Sequence, residues 1–200
     1  TRILYVDLNA IGSEDIVWFD STGRVRYLEL FPQRANLLSR VDNDLGFVQE
    51  ITYATAAEQA ARARAAGTPW SRTLRMALPV VERLDSYITL PGDELHEIRT
   101  YQYRDGFYDG EAKQLRGFEH VEVHTRDAEG DTESFQQAST RVMTYDVGDE
   151  DPWFHGLVLT DQTFTEQDLL RATTSEYRDC ALEDVPRPDA LRTAGKMPVR

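Results

Sequence analysis

Three oxygen-bearing side chains stand near the start of the chain in the rhythm D-x-N-x-x-G-x-x-D: Asp7, Asn9 and Asp15, with Gly12 at the turn. Hard divalent cations take that donor set, and Ca²⁺ gathers roughly six to eight oxygens from carboxylates, carbonyls and water. Glu14 and the Ile11 carbonyl would extend the set, although Ile11 stands where a third side-chain oxygen is expected. Asp7, Asn9 and Asp15 are therefore Ca²⁺ candidates. The competing reading is a tight turn whose Asp and Asn side chains cap backbone N–H groups. A second constellation is "HVEVH". On a strand, His120, Glu122 and His124 share one face and Val121 and Val123 the other. Zn²⁺ accepts such nitrogen and oxygen donors. The alternative is a polar row facing water, with the valines facing the core.

Covalent chemistry finds less. No G-x-S-x-G elbow occurs, and Cys180, the only cysteine, has no flanking feature that would depress its pKa. "AGKMP" lacks the upstream glycine and the Ser/Thr of a phosphate-binding loop. No two glutamates are spaced as the Glu-x-Glu pair of ADP-ribosylating toxins. No residue is assigned a catalytic role, and the chain reads as a non-enzyme. "YQYRDGFYDG" clusters Tyr101, Tyr103, Phe107 and Tyr108, a set that could stack sugars or bases, or fill the space between sheets while the Asp-Gly pairs turn the chain. With 35 acidic against 22 basic residues and a net charge of -13, nucleic acid and anionic membrane surfaces are poor partners. No apolar run reaches the length of a membrane span.

The elements that must position these residues are mainly β. "RILYVDL", "DIVWFD" and "VRYLELF" read as three strands of an antiparallel meander. "RVDNDLGFVQEITYAT" reads as a hairpin turning at "DNDLG". The period then changes: "ATAAEQAARARAAG" is rich in helix formers and stops at Gly67, which predicts one α-helix near residues 54–66. Strands resume in "RMALPVVERLDSYIT", "HEIRTYQYRDG", "FEHVEVHTR" and "ESFQQASTRVMTYD". Beyond 160 the pattern weakens to a candidate helix in "TEQDLLRATTSEYRDCALE" and an irregular tail.

Four ordered segments carry a resemblance. "NLLSRVDNDLGFVQEITY", "ARAAGTPWSRTLRMALPVVERL", "YQYRDGFYDGEAKQLRGFEHVEV" and "WFHG" are similar to the middle region of the B components of insecticidal toxin complexes. This TcB or SpvB-like family borders on the Rhs/YD-repeat proteins. The family pattern is approximately N-L-L-x-x-x-D-N-G-x-G, G-x-P-W, V-V-E-R, Y-x-Y-x-x-G-x-Y-D-G, R-G-F and W-F-H-x-G. Here Asp44 stands at a usual glycine, Phe107 at a usual tyrosine, and "WFHG" lacks a residue before its glycine. The opening loop resembles the family's integrin-α-like (FG-GAP) propeller loops, D-x-N-G-x-G-x-x-D, with Ala10 and Ile11 breaking the form. The resemblance implies three regions: the last propeller strands over 1–35, a β-rich shell over 36–160, and the candidate helix and tail over 161–200. It also implies a secreted, non-catalytic assembly segment without a required cofactor. Its partners would be the rest of the same toxin chain and the A and C components, with neither nucleic acid binding nor direct membrane insertion. The alternative from the residues alone is a stand-alone Ca²⁺-dependent adhesion or ligand-binding β module.

Overall fold

The computed structural model describes residues 2–178 other than 32, 33, 35, 75, 92, 130, 131, 166 and 167. Branched and aromatic residues build the first sheet. β1 (Arg2–Val6), β2 (Asp15–Phe19) and β3 (Val25–Leu28) pair antiparallel in that order, the expected meander. Its centre is closed and its flanks are open: Val17 on β2 is 4% exposed, whereas Ile3, Tyr5, Val25 and Tyr27 are 58–65% exposed.

The second sheet is a sequential antiparallel meander of eight strands. It runs β4 (Arg40–Asp42), β5 (Phe47–Thr55), β6 (Pro79–Leu90), β7 (Asp93–Asp109), β8 (Gln114–Glu129), β9 (Thr132–Tyr145), β10 (Val158–Thr165) and β11 (Asp168–Thr174). The "DNDLG" hairpin forms as expected. Asn43 Oδ1 accepts from the N–H groups of Leu45 and Phe47, both at 2.9 Å. Gly46 is required there, because its φ is +95° and a Cβ would lie 2.8 Å from the Thr89 carbonyl.

One α-helix, α1 (Ala56–Ala65), occurs among the described residues. A reciprocal capping box starts it: Glu58 N–H donates to Thr55 Oγ1, and Thr55 N–H donates to the Glu58 carboxylate. Its apolar side is only alanines, so it docks through small contacts, with Ala56 2% exposed. The fully buried apolar side chains are few among the described residues; they include Ala54, Ala56 and Val80 at the helix junction and Ile98 and Met143 in the long sheet.

One expectation is corrected. Residues 168–174, inside the segment read as a candidate helix, form β11 and pair with β10. "LLRA" favours a helix locally, but the free edge of β10 offers a ladder to a segment that ends in two β-branched threonines, and pairing overrides the local preference. The ladder continues past the strand, where Ser175 N–H donates to the Leu159 carbonyl. Cys180 and the tail lie outside the described residues. No helix among the described residues is long and apolar enough to cross a membrane.

Candidate functional site

The opening loop brings Asp7, Asn9 and Asp15 into one turn and engages the carboxylate oxygens of Asp7 and Asp15 with backbone. Asp7 Oδ1 accepts from Ile11 N–H at 3.1 Å and Oδ2 from Gly12 N–H at 2.8 Å. Asp15 is 2% exposed, and its two oxygens accept from Leu8 and Leu30 N–H groups, both at 3.3 Å. Asn9 donates to Glu29 at 2.8 Å. The backbone keeps the left-handed bends of the glycine-rich form, with Ala10 at φ +56° and Gly12 at +85°. Ile11 has a physical reason for being apolar: it lines a cleft between the two sheets with Ile51, Tyr53 and Pro79.

"HVEVH" lies on β8 with the three polar side chains on one face, as the alternation requires. His124 Nε2 sits 2.9 Å from Glu122, and its Nδ1 is 2.9 Å from Thr140 Oγ1 on β9. His120 turns to Asp105 instead, 3.6 Å away, an ionic contact too long for a hydrogen bond. No group of three or more His, Cys, Asp or Glu able to hold a metal ion is found among the described residues. His96 and His155 are elsewhere. His96 Nε2 lies 3.0 Å from Asp85 and its ring stacks on Tyr87 at 4.2 Å. His155 Nε2 donates to the Arg116 carbonyl at 2.8 Å.

What the fold does bring together is an aromatic and ionic node. The peptide "TPWSR" crosses β7 and β8 after α1. Trp70 meets Phe118 edge-on at 5.8 Å, and Phe118 packs on Tyr103 at 4.9 Å, with Tyr101 stacked beyond at 6.4 Å. Burial, aided by neighbouring Tyr101, pushes the Tyr103 hydroxyl up to about 12. Gly106 admits this packing, since a Cβ there would lie 3.0 Å from both Leu74 and Phe118. Arg72 stands over the Phe107 ring at 5.2 Å and pairs with Asp149 at 2.5 Å. Arg116, 5% exposed at its side chain, pairs with Asp109 at 2.9 Å. Asp109 Oδ1 also accepts from Glu111 and Ala112 N–H groups, so the second Asp-Gly pair turns the chain as expected.

The first Asp-Gly pair does something else. Asp105 lies inside β7 at φ +57°, 5% exposed. Its Oδ1 accepts from Ser71 N–H (2.5 Å), Ser71 Oγ (2.8 Å) and Arg72 N–H (3.4 Å). Burial raises its pKa, but the Ser71 and Arg72 bonds outweigh that and hold the carboxyl below its usual value. Asp85 behaves alike: burial is opposed by bonds from Arg83 and His96, and the net shift is downward. Asp105 and Arg72 escape sequence reasoning because their partners are distant in the chain. The one local signal was Asp105 before a glycine within an otherwise unbroken strand pattern.

The quoted motifs after the hairpin, V-V-E-R excepted, enter this node or its rim: Trp70, Tyr101, Tyr103, Gly106, Asp109, Arg116, Phe118 and His155. That convergence has a counterpart in known proteins. Residues 1–148 match the family model described as the insecticide toxin TcdB middle/N-terminal region. The chain belongs to this family. Among solved structures, crystal structures of TcdB2–TccC3 resemble it with a TM-score of 0.66 at 15–16% identity. The *Photorhabdus luminescens* Tc holotoxin pore does so with the same TM-score at 14% identity. These likenesses show the fold. Each covers 84% of this chain and 10% of the other, so the segment spans about a tenth of those proteins. No curated protein matches the chain significantly.

Proposed function

We propose that this segment is a non-catalytic wall and junction piece of a secreted toxin-complex B component. In this reading β1–β3 are the last strands of an integrin-α-like propeller region. Residues 36–160 begin the β-rich shell that encloses a toxic cargo, and the partners are the remainder of the chain and the A and C components. The observation that carries the reading is the fate of the motif residues. Trp70, Phe118, Tyr103, Gly106, Arg116 and Asp109 are consumed by packing and ion pairing with one another, which is what a scaffold asks of them. The apolar side chains left open on β1 and β3 support it, because a toxin shell or propeller supplies covers for them.

The test uses the full-length B component assembled with its C component. Gly106→Val, which forces a branched side chain against Phe118, is expected to lower the yield of complex and expose the cargo to protease. Glu122→Gln with His124→Gln, on the most enzyme-like constellation, is expected to leave assembly and toxicity unchanged. An intact complex that loses toxicity through the second pair would overturn the non-catalytic reading.

A further inference from the structure

β7 outruns its neighbour. It pairs with β6 from Asp93 to Thr100 only, where Arg83 is the last partner, yet the strand continues to Asp109. β6 residues before Arg83 pair with β5 alone. From Tyr101 onward β7 is held by β8 on one side and has no strand on the other among the described residues, although it lies in the middle of the sheet. An open row of N–H and C=O groups there is a template for any extended chain.

The row is covered by a side chain acting as a peptide group. Gln59 on α1 is 6% exposed, and its carboxamide reaches the open edge. Nε2 donates to the Tyr101 carbonyl at 3.4 Å and Oε1 accepts from the Tyr103 N–H at 3.5 Å. One planar amide thus supplies the donor and acceptor that a neighbouring strand would supply. Both bonds are long, so the carboxamide caps the edge without competing with a true ladder in strength. The next stretch is closed by Asp105, which pins Ser71 and Arg72 across it. α1 itself is tethered where β5 ends: Ala56 N–H donates to the Leu78 carbonyl at 2.9 Å, and Arg62 pairs with Glu82.

We propose that α1 is an edge guard, with Gln59 as its positioning residue, and that it keeps β7 from pairing with the same strip of a second copy of the chain. Backbone groups carry no sequence code, so an identical chain at equal concentration is the standing competitor for this row. Gln is the residue the job needs. Glu lacks the donor, and Met fills a similar volume with no donor and only a weak sulfur acceptor.

Site-resolved hydrogen exchange of the full-length B component, with size-exclusion light scattering, tests this. In the wild type the Tyr103 amide is expected to exchange at least tenfold more slowly than the same amide in an unfolded chain. Gln59→Met is expected to remove that protection, leave the Ile98 amide protected, and produce a mass that rises with concentration. A Tyr103 amide unprotected in the wild type, protection that survives Gln59→Met, or a deprotected variant that stays at its wild-type mass would each overturn the proposal. The wild-type exchange measurement stands even where Gln59→Met does not fold.

Discussion

Asp105→Ala should remove a heavily bonded, buried carboxylate from inside β7, and its cost can be divided in advance. The carboxylate oxygen Oδ1 receives three donors, two of them at 2.8 Å or less. Hydrogen bonds to a charged acceptor contribute about 1.5–3 kcal/mol each. Ser71 is exposed and its donors can return to water once freed, so about 3 kcal/mol is expected for the set rather than the full sum. A second cost is conformational. At φ +57° an alanine meets the left-handed penalty of about 1–2 kcal/mol, which Asp relieves by local bonding. Asp105→Gly loses the same bonds but not that penalty, offset by about 0.4–1 kcal/mol of unfolded-chain entropy. Asp105→Asn keeps an acceptor and tolerates the backbone. The expected order of destabilisation is Asn, then Gly, then Ala, with Ala worse than Gly by roughly 0.5–1 kcal/mol. Urea unfolding followed by tryptophan fluorescence reads this, because Trp70 is the residue before Ser71 and reports the loop directly. Midpoints for all three variants within about 0.5 kcal/mol of the wild type, or Gly worse than Ala, would refute both the pin and the strain.

Three further outcomes are expected. Ala10→Gly, at φ +56°, should stabilise by about 0.5–1 kcal/mol, and Asp44→Gly, at φ +54°, by less because aspartate tolerates that region; thermal melts decide the order. Tyr103 is raised from about 10 to about 12, so the unfolded chain loses its proton first on going alkaline. Its contribution is whole below pH 10 and is lost towards pH 12, by about 1–2 kcal/mol once its partial exposure is discounted, a loss that Tyr103→Phe should reduce relative to the wild type at equal pH. Millimolar Ca²⁺ should shift the melting midpoint by less than about 1 °C, since the Asp7 and Asp15 oxygens are already satisfied by N–H groups; a saturable rise of several degrees would assign the loop to the metal.

Local patterns made most of the fold legible. Alternation located the opening meander, the "DNDLG" hairpin and the long strands, and the alanine-rich run located α1, because strand and helix periods and capping act within a few residues. The segment at 168–174 was not legible, since an unpaired β10 edge decided it, and an edge is a property of the finished sheet. The opening loop was half legible. Its oxygens are gathered as the spacing suggested, but only the structure shows that those of Asp7 and Asp15 are spent on N–H groups and that Ile11 serves the cleft between sheets. The glycine departures carry the same lesson from the other side. Ala10 and Asp44 keep the left-handed backbone that the family's glycines would take freely, so the loop shapes persist while their ease is lost. The node could be assembled as an ordered list of motifs but not as a place, because Trp70, Asp105 and Phe118 meet only through β-pairing across dozens of residues.

The open faces bear on what holds such a segment in shape. Three strands with an apolar face are the least that stands alone in water, and this sheet leaves Ile3, Leu4, Tyr5, Val25, Tyr27 and Leu28 between 46 and 65% exposed. Burying a large apolar side chain contributes about 1.5–3 kcal/mol, so covering the exposed halves of these six is worth of order 5–10 kcal/mol. That is comparable to the whole stability of an ordinary domain. The node is more closed, with its aromatic contacts and its Arg72–Asp149 and Arg116–Asp109 pairs made within residues 59–156. A piece with one closed centre and one meander whose apolar face stays open fits the proposed junction role: in that reading the meander gains most of its stability when a neighbouring surface covers it.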